Sequence, residues 1–271
     1  MEQLRRQKQS QNEKGSGNDA AGVRAVERAV DILLCLGSSE LNLTEISKEV
    51  NLNKSTVYRM LVSLERKGFV TRCDSKGKYL LGWGIMELLS ETLSRSQGMV
   101  QSASPYMEKL WQHTNETISL YIHKGFSRLC IAEIPSPHPL KYTVGIGASV
   151  HLHAGAPGKL LLAYLPAAEQ AEALKHISLH SVTSKTITDE EKLLQELEVI
   201  REQGWATSFG ERIEGVSCLA LPVIDRQMRV VASLSILGPY IRLPEGQLMS
   251  YLNVMRETAD GISSRLGILD Y

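Results

Sequence analysis

Within six consecutive positions stand Lys54, Ser55, Thr56, Tyr58 and Arg59, a set of side chains suited to gripping a polyanion and reading its edges. They head the stretch NLNKSTVYRMLVSLERKG, residues 51 to 68. On a helix turning about 100° per residue, Val57, Met60, Leu61 and Leu64 gather on one side and must face a core. Ser55, Arg59, Val62 and Arg66 fall opposite, with Thr56 and Tyr58 on the flanks and Lys54 at the N-terminal end. A helix of this kind fits a DNA major groove, where its first residues meet the base edges. Arg59 can pair with guanine, Ser55 and Thr56 can bond phosphate or base, and Lys54 neutralises a phosphate. Taken alone, the same pattern equally describes a solvated helix face.

Other residues suggest other chemistry. Cys218 with His151 or His153 could form a nucleophile–base pair. Yet Cys218 lies in the apolar run CLALPVID, where cysteine is usually packing, and no third orienting group stands out. His151 and His153 are two apart and share a face if they lie on a strand, so His138 or Cys218 could complete a metal set. Structural or solvent-facing histidines explain them more simply. VGIG lacks the third glycine and acidic context of a dinucleotide fingerprint. HAGAPGK could open a helix whose free N–H groups face an anion, or be an ordinary strand-to-helix turn. The expectation is no catalysis, no cofactor and no metal.

The elements that must position these residues follow from the chain as a whole. Its 271 residues suffice for two cores. Net charge is zero, but residues 1–84 hold 14 Lys/Arg against 10 Asp/Glu, and the remainder is acidic by the same margin. A basic front and an acidic back suggest two jobs. Cys35, Cys73, Cys130 and Cys218 form no C-x-x-C pair, which points to a reducing compartment without a disulfide framework. The N-terminus has no apolar signal core, and no run approaches the roughly 18 apolar residues of a membrane span, so a cytoplasmic protein is expected.

Residues 1–21 are polar and are expected to form a disordered tail. Val26, Val30, Leu33 and Leu34 recur at helical spacing and predict a first helix over Val23 to Leu36. Asn42 and Glu45 suit a capping box for a second, shorter helix. After the helix at 54–67, FVTRCDSKGKYLL reads as a hairpin with Lys76 and Lys78 at or beside its tip. Helix, capped helix, helix and basic-tipped hairpin is the order of a winged helix-turn-helix, expected over 22–84 with its helix-turn-helix at about 44–63. This order makes DNA the expected partner, with Lys54, Ser55, Thr56, Tyr58, Arg59, Lys76 and Lys78 as contacts. A linker helix is expected over 85–98, with Pro105 near the start of a further helix. Over 99–271, ETISLYIHK, RLCIAEIP, LKYTVGIG, CLALPVID and VVASLSIL read as strands. APGKLLLAYL, DEEKLLQELEVIREQG and roughly 245–266 read as helices. The fold class is therefore α+β, with an α/β back domain around a largely antiparallel sheet.

The stretches AVERAVDILLCL, LNLTEISKEVNLNKSTVYRMLVSLERKGFV and GKYLLG resemble the N-terminal domain of the isocitrate lyase regulator (IclR) family of bacterial transcription factors. Asn42 and Asn53 stand where the family usually has Thr and Pro, both capping-type replacements. SPHPL, VGIGASVHLHAGAPGKLLLAYLP, EGVSCLALPVID and VVASLSILGP resemble its C-terminal, GAF-like effector-binding domain. The resemblance implies a repressor, or alternatively an activator, that binds a near-palindromic operator as a homodimer or tetramer and responds to a small-molecule effector. It places that effector against Tyr142, Val150, His153, Ala156, Pro157, Ser208, Cys218 and Ser235. Ser208 stands where the family often has an acidic residue, and Leu237 where it has a second serine. These two changes imply fewer polar fixings and a larger or more apolar effector, such as an aromatic acid.

Overall fold

The computed structural model describes residues 23–37, 39–73 and 77–266, with the backbone alone over 89–97. The expected tail at 1–21 and the wing residue Lys76 lie outside the described residues. The chain divides into two compact units, Met1–Leu93 and Ser94–Tyr271.

In the front unit, α1 (Arg24–Leu36) precedes β1 (Leu41–Asn42), α2 (Leu43–Glu49) and α3 (Lys54–Arg66). The hairpin follows as β2 (Val70–Cys73) and β3 (Lys78–Leu81). The capping box forms: the Asn42 side chain accepts from the Thr44 and Glu45 N–H groups, and Glu45 Oε2 accepts from the Asn42 N–H at 2.7 Å. β1 adds to the hairpin in a three-stranded antiparallel sheet, ordered β1-β3-β2. This strand was not foreseen, since two residues carry no periodicity. The core gathers Ile32, Leu36, Ile46, Val57, Leu61, Val70 and Tyr79.

Ile32, Cys35 and Leu36 are the buried residues of α1, while Val26, Val30 and Leu34 point outward at 60%, 47% and 65% exposure. The helix has two apolar faces, and periodicity alone cannot say which one the core takes.

Three glycines clasp the end of α3. Gly68, at φ +74°, closes the helix, with its N–H on the Glu65 carbonyl and the Phe69 N–H on that of Leu64. The Gly84 N–H donates to the Gly68 carbonyl at 2.9 Å, and a Cβ on Gly82 would overlap that same oxygen. The last turn of α3, the end of the hairpin and the start of the next helix thus meet backbone to backbone.

The expected linker and its successor are one helix, α4 (Gly84–Thr114), with Pro105 inside it. The proline removes one helix hydrogen bond, but Ala103, Met107 and Leu110 are buried in the back core on either side of it. That packing outweighs the local defect.

The back unit holds a six-stranded antiparallel sheet among the described residues, ordered β6-β5-β4-β9-β8-β7. Its strands are β4 (Thr117–Lys124), β5 (Ser127–Ile134), β6 (Ser149–His151), β7 (Ala206–Phe209), β8 (Val216–Ile224) and β9 (Val230–Pro239). One apolar cluster includes α4, α8 (Glu245–Ser250) and α9 (Leu252–Leu266). Another includes α5 (Ala156–Ala163), α6 (Ala167–His176) and α7 (Glu190–Gln203). The helix expected over 245–266 is interrupted at Tyr251. LKYTVGIG is not a strand. The Glu133 carboxylate accepts from the Val144 and Gly145 N–H groups at 2.9 and 3.0 Å, and Gly145 and Gly147 take φ of +89° and +85°. The pairing passes instead to Ser149–His151.

Candidate nucleic-acid interface and ligand cavity

The outer face of α3 is built by its cap and its core side. Asn53 caps it, accepting from the Thr56 N–H at 2.9 Å, and the Ser55 hydroxyl donates to the same oxygen. Val57 and Leu61 are buried, which leaves Lys54, Ser55, Tyr58 and Arg59 exposed and Thr56 half-buried on the flank. Asn51 makes the tight turn from α2 at φ +50°, a conformation asparagine tolerates. On the hairpin, Lys78 is half-buried opposite Cys73. Arg72, which sequence reasoning did not single out, is exposed with its guanidinium 5.9 Å from the Tyr79 ring centroid. The front unit thus presents a helix with a polar, cationic face beside a hairpin carrying Arg72 and Lys78.

In the back unit a cavity of about 30 Å³ is lined by Tyr121, Arg128, Tyr142, Val144, Gly155, Pro157, Ser208, Glu211, Arg212, Ile213, Val216, Cys218 and Leu237. Of the residues named from the resemblance, Tyr142, Pro157, Ser208 and Cys218 are brought together on its wall. Val150, His153, Ala156 and Ser235 are buried behind the wall and not on it. His153 shares a hydrogen bond with the His180 carbonyl, and the Ser235 hydroxyl donates to the Ser119 carbonyl.

The expectation of few polar fixings is corrected by Arg128, Glu211 and Arg212. None of the three was singled out in the sequence. Arg212 Nη1 donates to the Tyr142 hydroxyl at 2.6 Å, and Thr117 Oγ1 donates to the Tyr142 carbonyl at 2.8 Å. Those contacts, with the Glu133 carboxylate, hold the irregular loop that brings Tyr142 and Val144 to the cavity. Glu211 accepts from Lys159 Nζ at 2.6 Å and from the Gly155 N–H at 3.1 Å. Lys159 is itself buried and also pairs with Glu196 at 2.7 Å. The HAGAPGK turn therefore faces an anion, and that anion is the protein's own Glu211.

The Cys218 thiol has its pKa pushed up to about 12 by burial, which holds it in its poorly nucleophilic protonated form. His151, His153 and His180 lie close, with ring centroids 4.7 to 5.7 Å apart. Among the described residues, no group of three or more His, Cys, Asp or Glu is arranged to hold a metal ion. Nor is any helix among them long and apolar enough to cross a membrane.

Comparison with known proteins extends these observations. Residues 25–73 match the IclR helix-turn-helix domain, and residues 91–264 match the family described as bacterial transcriptional regulator IclR C-terminal. The transcriptional regulator KdgR of Escherichia coli K12 is 35% identical over 250 residues, covering 92% of this chain and 95% of its own. The transcriptional repressor AllR of the same strain is 30% identical over 249 residues, covering 91% and 92%. The crystal structure of the Thermotoga maritima IclR superposes with a TM-score of 0.70 at 31% identity, covering 89% of this chain and 98% of that one.

Proposed function

This chain belongs to the IclR family of bacterial transcriptional regulators, and on that premise we propose that it is a repressor released from its operator by a small organic acid. The observation that carries the first half is the outer face of α3. Lys54, Ser55, Tyr58 and Arg59 project together from a helix whose opposite side is locked into the core. In this reading Arg59 and Thr56 meet base edges, and Lys54 and Ser55 meet phosphate. Lys76 and Lys78, with Arg72, grip the backbone from the wing. The effector occupies the cavity bounded by Tyr142, Pro157, Ser208 and Cys218.

The working form is a homodimer, or a pair of dimers, on a near-palindromic site. Support comes from the outward row Val23, Val26, Val30 and Leu34, and from exposed Trp83, Met86 and Leu88. These are large apolar side chains turned away from their own core, as a subunit contact requires. Effector binding shifts the population between DNA-competent and incompetent forms through its differential affinity for the two.

The test is fluorescence anisotropy of the purified protein on duplexes from its own upstream intergenic region, with and without small organic and aromatic acids. Specific binding that one compound releases supports the reading. Binding that a compound tightens makes the protein an activator or a co-repressed regulator. Absence of specific binding to any upstream duplex at moderate salt counts against the assigned face of α3.

A further inference from the structure

Arg128 is a guanidinium buried without a carboxylate. It is 2% exposed and, among the described residues, forms no ion pair. Nη1 donates to the backbone carbonyls of His151 and Ala154, which satisfies protons and leaves the charge unpaired. Nε is buried and has no partner. A Cβ on Gly155 would stand 3.5 Å from Nη2, so that nitrogen borders a cavity-lining glycine. Burial lowers the pKa to about 10, which still leaves the group charged at neutral pH.

The seat is built for this side chain. A Cβ on Gly158 would overlap Nη1 and the Leu152 carbonyl. The Tyr121 ring centroid lies 5.4 Å from Cζ, so the ring lends a partial counter-charge. The carboxylate on the cavity wall, Glu211, is already held by Lys159 and the Gly155 N–H. A buried ion is normally compensated by an opposite charge. Here the protein supplies none within ion-pair distance, and the group lies on a cavity.

Resting on the reading of this cavity as the effector site, we propose that Arg128 anchors the effector's anionic group, and that the effector is a carboxylate bearing a hydroxyl. Nη2, beside the cavity-lining Gly155, takes the carboxylate in a charge-assisted hydrogen bond. Glu211 accepts hydrogen bonds only and repels a second anion. It therefore orients the ligand with its hydroxyl donor toward Glu211 and its carboxylate toward Arg128.

The test uses the full chain without DNA and three matched probes: glycolate, acetate and glycolamide. Glycolate raises the melting temperature, acetate raises it less, and neutral glycolamide leaves it unchanged. By calorimetry, Arg128→Gln, which keeps an N–H donor and loses the charge, weakens glycolate at least about tenfold. Arg128→Lys, which keeps the charge and loses the fork, recovers part of the affinity. A purely structural arginine would lower unliganded stability and leave the preference for carboxylate over amide intact. Stabilisation by glycolamide equal to that by glycolate, no response of the wild type to either carboxylate, or unchanged glycolate affinity in Arg128→Gln overturns the assignment. Should Arg128→Gln not fold, full affinity in Arg128→Lys overturns it equally. Because no DNA enters the assay, its failure leaves operator binding standing, and a failure of operator binding leaves this result standing.

Discussion

Arg59 is exposed on a helix anchored from behind by Val57 and Leu61, so its side chain is free for a partner. Truncation in Arg59→Ala should cost about 1–3 kcal/mol of specific operator binding and relax preference at one base position. An anisotropy titration with unchanged operator affinity would remove Arg59 from the reading set. A second residue-scale expectation concerns pH. Burial, reinforced by the neighbouring imidazoles of His180 and His153 and by Arg128, pulls the His151 pKa down from 6.5 to about 4. The unfolded chain then binds more protons than the folded one between those values. Stability is fully present above about pH 6.5 and is lost as pH falls toward 4. Chemical denaturation of His151→Gln should show a shallower loss of stability across that window, and an unchanged slope would refute it. The helix face was legible in the sequence because 3.6-residue periodicity sorts neighbours by side. Arg128, Glu211 and Arg212 were not. Arg212 meets Tyr142 across 70 residues, and Glu211 meets Gly155 across 56, separations that no local spacing rule reports.

Among the elements, those with both a cap and a period were legible. α2 begins at Asn42 with its capping box, and α3 begins at Asn53, each as side-chain chemistry requires. Elements decided by tertiary contact were not. α4 runs through Pro105 because Ala103, Met107 and Leu110 are buried, and the loop around Val144 is irregular because Glu133 captures its N–H groups. The glycine clasp gives an element-scale prediction. A methyl group at Gly82 meets the Gly68 carbonyl with no flexible side chain to yield. Gly82→Ala should destabilise the front unit by about 1–3 kcal/mol and weaken operator binding with it, as read by thermal melting and anisotropy together. Wild-type melting would mean that the backbone yields there.

For the whole molecule, the first helix matters most, because it packs Ile32, Leu33 and Leu36 on the core and leaves Val26, Val30 and Leu34 outward. If Val26, Val30 and Leu34 join two copies, Leu34→Glu, at 65% exposure, should leave affinity for a single half-site unchanged. Affinity for the full near-palindromic site should fall by on the order of 100-fold, the advantage of linked binding. Equal affinity of mutant and wild type for the full site would place the subunit contact elsewhere. The sequence reading divided the chain by the shift in charge and pattern, but periodicity could not say which face of the first helix meets its own core.

The three-glycine clasp bears on how this protein can diverge. Gly68, Gly82 and Gly84 meet through backbone atoms, so a side chain at any of them costs stability whatever the operator sequence. Lys54, Ser55, Tyr58 and Arg59 point outward and carry no such constraint. Duplicated copies of the gene can therefore acquire new operator preferences one substitution at a time on that face without disturbing the frame that the glycines hold.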